Sequence, residues 1–492
     1  MKKPNIVFLI CDCLRTKNAN SLTMPYIVGK SKIEFTRCYS PSTWTLPSYA
    51  SIYSIKTPVD HNITRRGDYL NRNLSVLPYN LKKNGYHTCA FTENPTYGSN
   101  YGFHRGIDFF DEDINYKKYP SSTSFLRMGG FKGLIKNFPK TIRQSNSRFL
   151  DFMNFCYLGL SYFNYERKSK SIHNSERILN HISMYLKNNS DNPKLILTNF
   201  LEPHSPYMSS ERGADLLGLS FSKEEKESLA NFDARNYLLK NEKPPTANNG
   251  EEVFSSWSDF FSRQIDAYNS QIRYLDEQLE KWFKTNEEFL RNSLVILTGD
   301  HGQLFGEEEM YGHHTSLHPN GVNVPLYIFP PENDEFDTGK FSEPVSLIGV
   351  SEAVSQLVNG KVKDIERFIE LVKEESKLGD EGEVIITVDG PTWNIKELEK
   401  KYNYEKVERL KIRKIGFVKK DKMRVYSSYW NSPEIIHREY TIEEYDRTLL
   451  KEDRNTEKLN EKFLNWLQYP SGDARRIKSS VNRLKRENRI RF

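Results

Sequence analysis

Leu294-Val295-Ile296-Leu297-Thr298-Gly299-Asp300-His301-Gly302 decides the fold. Five residues, apolar except the final branched threonine, stop abruptly at Gly-Asp-His-Gly. The run is too short for a helix of usual length and ends where a strand buried on both faces would end. Three other runs share this form: Asn5 to Cys11, Thr88 to Phe91 and Leu195 to Phe200. Each is rich in branched residues and passes into polar or Gly/Pro signals, so all four read as buried parallel strands. A fifth strand, Pro325 to Phe329, ends at Pro330-Pro331.

Helical patterns lie between these runs. Leu77 to Asn84 is one, with Gly85 as its stop. Asp259 to Glu288 is long, amphipathic and charged on one side. Strands alternating with helices predict an α/β fold with a mostly parallel central sheet flanked by helices. Residues 115–190 read as a helical insertion and 209–256 as a polar, mobile one. After about 340 the character changes. Glu383 to Val388, Arg413 to Val418 and Met423 to Ser428 read as strands, the last two joined at Lys419 to Lys422. The expected division is a catalytic domain over 1–340, a smaller C-terminal α+β subdomain over 341–470 and a basic tail over 471–492.

The 492 residues exceed what one core usually organises. The net charge of +6 sits entirely in the last twenty residues, where eight Lys/Arg face two acids. The body is therefore neutral and gives no footprint for nucleic acid. The tail carries the charge to touch an anionic surface, or is simply a solvated helix end. The five cysteines are few, odd in number and set in mostly apolar stretches, as expected of buried reduced thiols. No run approaches the roughly 18 to 20 apolar residues that span a bilayer. The N-terminal apolar run is too short for a signal peptide and meets Asp12 and Arg15 at once. A cytoplasmic location is the expectation.

In such a sheet, ligands bind at the carboxyl ends of the strands. There the sequence places Asp12, the segment Glu202-Pro203-His204-Ser205-Pro206-Tyr207, and Asp300-His301. A carboxylate from one strand and an Asp-His pair from another can hold a hard or borderline cation. Each alone is weak, because an Asp after a strand is more often a helix cap. The hydroxyl-rich stretch Ser40 to Ser51 precedes a helix pattern beginning near Pro47. Its N-terminus would favour an anionic ester group.

At this point the residues resemble a known family. Pro4-Asn5-Ile6-Val7-Phe8-Leu9-Ile10 leading to Asp12 resembles the opening strand of the sulfatases, in the alkaline phosphatase superfamily. Leu297 to Gly302 resembles their second metal-binding strand end, and Gly312-His313-His314 before Asn323-Val324-Pro325 their leaving-group segment. Thr45-Leu46-Pro47-Ser48-Tyr49 stands where the family carries its nucleophile. The match runs from residue 4 to about 360.

The departures bear on the chemistry. Sulfatases carry Cys or Ser in a C/S-x-P-x-R pattern, oxidised to formylglycine. Thr45 cannot give that aldehyde, so formylglycine is not expected, and Tyr49 replaces the arginine. Cys13 replaces the second Asp of the usual pair. A threonine nucleophile is known in relatives that move phosphoryl groups.

The resemblance implies one divalent metal ion (Ca, Mg, Mn or Zn) held by Asp12, Thr45, Asp300 and His301. Thr45 is then the nucleophile, His204 a donor to an ester oxygen, and His313 the acid for the leaving oxygen. His314, Asn94 and Arg66 are candidate substrate contacts. A second cation would call on His204 and His313 with Glu202, the nearest acid. The expected substrate is a small-molecule, glycan or lipid phosphate or sulfate ester, with phosphoester favoured. The alternatives are a sulfuric ester hydrolase using unmodified Thr, or a catalytically inactive sulfatase-like binding protein.

Overall fold

The computed structural model describes residues 3–65, 68–112, 175–188, 192–207, 210–234, 236–240, 243–313, 315–334, 336–390, 410–430, 434–442, 449–453 and 459–468, with 398–400, 402 and 407. The expected contacts Arg66 and His314 lie outside these residues. So do the basic tail and all of the 115–190 insertion except its last helix, Ser175–Asn188.

The large sheet holds β1 (Asn5–Cys11), β2 (Ile33–Tyr39), β3 (His87–Thr92), β4 (Phe109–Glu112), β5 (Lys194–Phe200) and β6 (Ser293–Gly299). The strands β7 (Leu304–Phe305) and β8 (Tyr311–Gly312) form a separate ribbon, and β9 (Asn323–Phe329), β10 (Gly339–Phe341) and β11 (Val345–Ser346) complete the sheet. Its order is β10-β2-β9-β6-β1-β5-β3-β4, with β11 paired to β2. The four predicted strands are the neighbours β6-β1-β5-β3, all parallel. The fifth, β9, runs antiparallel to both β2 and β6.

Sequence reading did not find β2. Ile33-Glu34-Phe35-Thr36-Arg37-Cys38-Tyr39 interleaves polar residues and is irregular between Phe35 and Cys38, so it lacks an apolar run.

Alternation along the strands builds two cores, because successive side chains leave opposite faces. Ile6, Phe8 and Ile10 face the helices Thr45–Ser54, Leu77–Lys83, Leu347–Val358 and Ile365–Glu375. Val7, Leu9 and Cys11 face Ser175–Asn188 and the long helix Trp257–Thr285. That helix starts at an N-cap where Ser256 accepts from Asp259 N.

Two expectations need correction. The 209–256 segment is not simply a mobile excursion. It contains the helices Glu211–Leu217 and Lys223–Ala230, the second opened by a Ser222/Glu225 capping box. Arg263 on the long helix bonds Glu225 at 2.7 Å, so the segment is tied to the body. The boundary drawn at 340 falls too early. The helices Leu347–Val358 and Ile365–Glu375 belong to the large core, and the second sheet starts only at Val384.

That second sheet is antiparallel: β12 (Val384–Asp389), β13 (Ile412–Lys419), β14 (Lys422–Tyr429), β15 (Ile435–Thr441) and β16 (Leu449–Asp453). It docks against the loop before the helix Thr45–Ser54, where Thr387 N donates to Pro41 O at 3.0 Å. Among the described residues, no helix is long and apolar enough to cross a membrane.

Candidate active site

Register brings the polar strand ends together. Cys11 on β1 pairs with Gly299 on β6 and with Phe200 on β5. The next residues, Asp12, Asp300 and Leu201, therefore leave the sheet side by side. Gly302 allows the chain to turn there, because a Cβ would run into Asn320 O.

Asp12, Asp300 and His301 are all fully buried. His301 Nδ1–H donates to Gly302 O at 2.8 Å. A carbonyl can only accept, so Nδ1 carries a proton and Nε2 is the nitrogen turned toward the carboxylates. It points at Asp12 Oδ1 (3.3 Å) and Asp300 Oδ2 (3.5 Å). Thr45 opens the helix Thr45–Ser54, two residues before the expected Pro47. Its Oγ1 donates to Asp12 Oδ2 at 3.3 Å and lies 3.4 Å from His301 Nε2.

Two buried carboxylates this close call for a positive charge between them, from a cation or from the His301 imidazolium. Burial pushes the Asp300 carboxyl up, and the Asp12 charge adds to it. Burial acts the same way on Asp12, but the charges of His204 and His301 hold it below the usual carboxylate range. His301 is pushed down by burial, yet the two carboxylates raise it to about 9. Asp300 Oδ2 is buried with no hydrogen-bond partner.

A divalent cation fits this cage. Donor atoms of Asp12, Asp300 and His301 all lie within 4.8 Å of one another. The separations of 3.3–3.5 Å match the edges of about 3.3 Å expected for a tetrahedral ion with bonds near 2.0–2.1 Å.

Two histidines stand over the cluster. The ring centroid of His313 is 4.6 Å from that of His301 and 5.5 Å from that of His204. His204 Nδ1–H donates to Ser205 O at 2.6 Å, which turns Nε2 away from its own backbone. Asn94 is also in the site, but both ends of its amide are engaged. Nδ2 donates to Asp12 Oδ2, and Oδ1 accepts from Thr96 N at 2.8 Å. In this geometry it holds the Asp12 carboxylate. Glu202 does not join the histidines. It accepts from Ser175 N at 2.6 Å, and its other oxygen is buried without a partner.

Tyr49 is a buried core residue that donates to Thr198 O at 3.1 Å and stacks on Tyr97. Arg15 pairs with Glu307 at 2.9 Å. Two residues of the site were not among the sequence candidates. Gln303 Oε1 lies 2.9 Å from His313 Nδ1. Cys13 Sγ lies 3.2 Å from Asp12 Oδ1 and 3.6 Å from His313 Nδ1. Adjacency to Asp12 was the signal that could have marked Cys13.

The family model described as Sulfatase matches residues 4–359. A protein named Sulfatase from Formosa agariphila is 22% identical over 378 residues, covering 72% of this chain and 69% of its own. Among solved structures, the phosphonate monoester hydrolase of Agrobacterium radiobacter aligns with TM-score 0.58 at 14% identity, over 99% of this chain and 96% of that one. The structure of BT4656 in complex with its substrate D-glucosamine-2-N,6-O-disulfate aligns with TM-score 0.56 at 14% identity, over 90% and 92%.

Proposed function

The chain belongs to the sulfatase family, a family of ester hydrolases in the alkaline phosphatase superfamily, and from that premise we propose that it cleaves a singly charged phosphate ester, such as a diester, through Thr45. The observation that carries the reading is the position of Thr45 Oγ1, 3.3 Å from Asp12 Oδ2 and 3.4 Å from His301 Nε2. The side chain at the nucleophile position is a secondary alcohol. It has no route to an aldehyde and must act as a hydroxyl.

Asp12, Asp300 and His301 would hold a divalent cation beside that hydroxyl. The cation supplies Lewis acidity, which lowers the pKa of a coordinated water by about 8 units in favourable cases. At about 1.36 kcal/mol per unit, that corresponds to roughly 11 kcal/mol of stabilisation of the deprotonated oxygen.

Thr45 attacks phosphorus in line. The Oγ1–P bond forms as the bond from phosphorus to the leaving oxygen breaks. The Thr45 proton would pass to solvent, and His313 would deliver a proton to the leaving oxygen and take one back from the water that attacks next. His204, beside His313, donates to an ester oxygen. Water, or an acceptor hydroxyl, then attacks the phosphothreonine and restores Thr45.

Charge supports the preference for a single negative charge. The partners of Asp12, Thr45, Asp300 and His301 among the described residues include no Lys or Arg. Two carboxylates already balance one dication, so a dianionic monoester would meet little compensating charge.

Purified protein loaded with divalent metal should be offered aryl sulfate, aryl phosphate and bis-aryl phosphate. Turnover of the diester, lost in Thr45→Ala, is the expected result. Turnover of aryl sulfate alone, persisting in Thr45→Ala, would overturn the reading.

A further inference from the structure

We propose that Cys13 is a metal donor, so that the centre is a sulfur-containing one built for a borderline cation of the zinc class rather than for calcium or magnesium. The proposal rests on the reading that a cation sits among Asp12, Asp300 and His301 beside Thr45.

Cys13 is held in an unusual place. Its backbone takes a left-handed conformation, φ 65°, which a residue with a side chain rarely adopts. Two hydrogen bonds fix it there. Cys13 N donates to Asp300 Oδ1 at 3.3 Å, and Tyr268 OH donates to Cys13 O at 2.8 Å. Such strain at a buried site persists only where the surroundings impose it. The result is a thiol aimed into the cage, where a relaxed backbone would send it elsewhere.

The thiol has the company of ligands. Donor atoms of Cys13, His301 and His313 lie within 4.8 Å of one another, as do those of Asp12, Cys13 and His204. Cys13 is the only cysteine in such a group among the described residues.

A second observation is independent of the cysteine. Asp300 Oδ2, fully buried, faces the same cage and has no hydrogen-bond partner. The bland alternative is a buried thiol donating to Asp12 Oδ1. That contact leaves Asp300 Oδ2 without a hydrogen bond, whereas a cation would satisfy it.

Sulfur changes which ion is preferred. Thiolate selects zinc-like ions, and carboxylate and hydroxyl oxygens suit magnesium and calcium. As the metal–sulfur bond forms, the thiol proton leaves to solvent, so binding releases protons.

Cobalt(II) reports the bond directly, without turnover. Metal-stripped full-length protein reloaded with Co2+ should show a sulfur-to-cobalt charge-transfer absorption in the near ultraviolet. Cys13→Ser should lose that absorption while keeping the weaker visible cobalt bands. Its zinc affinity should fall about 10- to 100-fold, with calcium affinity unchanged. Cys13→Asp should move the preference toward calcium. A wild-type cobalt spectrum without the sulfur band, or an unchanged zinc-to-calcium ratio in Cys13→Ser, overturns the role of Cys13. If such a protein still shows Thr45-dependent turnover, the ester-cleaving reading stands without it. Failure of the wild type to bind any of these cations overturns both.

Discussion

Asp300 Oδ1 accepts a hydrogen bond from the backbone N–H of Cys13 at 3.3 Å and another from His301 N at 2.9 Å. One carboxylate oxygen thereby ties the end of β1 to the end of β6. Its other oxygen makes no hydrogen bond and lies 3.5 Å from His301 Nε2. The carboxylate is oriented by the two strand ends that it bridges, as a preformed metal site would require.

Thr45→Ala removes the proposed nucleophile and should lower kcat by at least about 1,000-fold. Thr45→Ser keeps the hydroxyl and should retain measurable turnover. Mass spectrometry of quenched reactions should find the phosphoryl adduct on residue 45 in the wild type and in Thr45→Ser. An alanine variant with wild-type turnover would exclude the covalent route.

Asn94→Ala removes the amide that fixes Asp12 Oδ2. Loss of such an orienting bond weakens metal binding by roughly 10- to 100-fold. Chelator competition should show that loss, and added metal should recover part of the activity. Unchanged metal affinity with a raised KM would instead make Asn94 a substrate contact.

His61 supplies a pH dependence away from the cage. It is buried, with Nδ1 accepting from Ile63 N and Nε2 3.0 Å from Ser51 Oγ on the helix that Thr45 opens. Burial lowers it from its ordinary 6.5 to about 3. The unfolded chain takes up a proton below 6.5 that the folded chain refuses until about 3. Stability should therefore fall with falling pH through that window, by up to about 1.4 kcal/mol per pH unit. Denaturant titrations of wild type and His61→Gln between pH 7 and 5 should show a shallower slope in the variant.

Asp389 ties the second sheet to the loop that carries Thr64 and Arg65. It accepts from Arg413 Nε at 2.9 Å, from Arg65 NH2 at 2.9 Å and from Thr64 Oγ1 at 2.7 Å. Arg413 is buried, and Asp389→Ala removes the carboxylate that its Nε donates to. Loss of about 3–5 kcal/mol is expected, read as a lowered denaturant midpoint. A shift below about 1 kcal/mol would mean that the buried ion pair contributes little to stability.

The sequence by itself determined the strands whose apolar runs are continuous, because a strand buried on both faces has no polar position to confuse the reading. It also determined that Asp12, Asp300 and His301 stand at strand ends, and that residue 45 carries a hydroxyl. The tertiary structure decided what depends on register and on neighbours distant in the chain. β2 escaped because its charged and polar positions interrupt any apolar run, and β9 runs against its neighbours although its own residues do not encode direction. Cys11 pairing with both Gly299 and Phe200 brings the metal donors together, and no local pattern fixes that alignment. Asn94 and Cys13 acquire their places only once the chain has folded, since what each touches comes from strands that meet across the sheet.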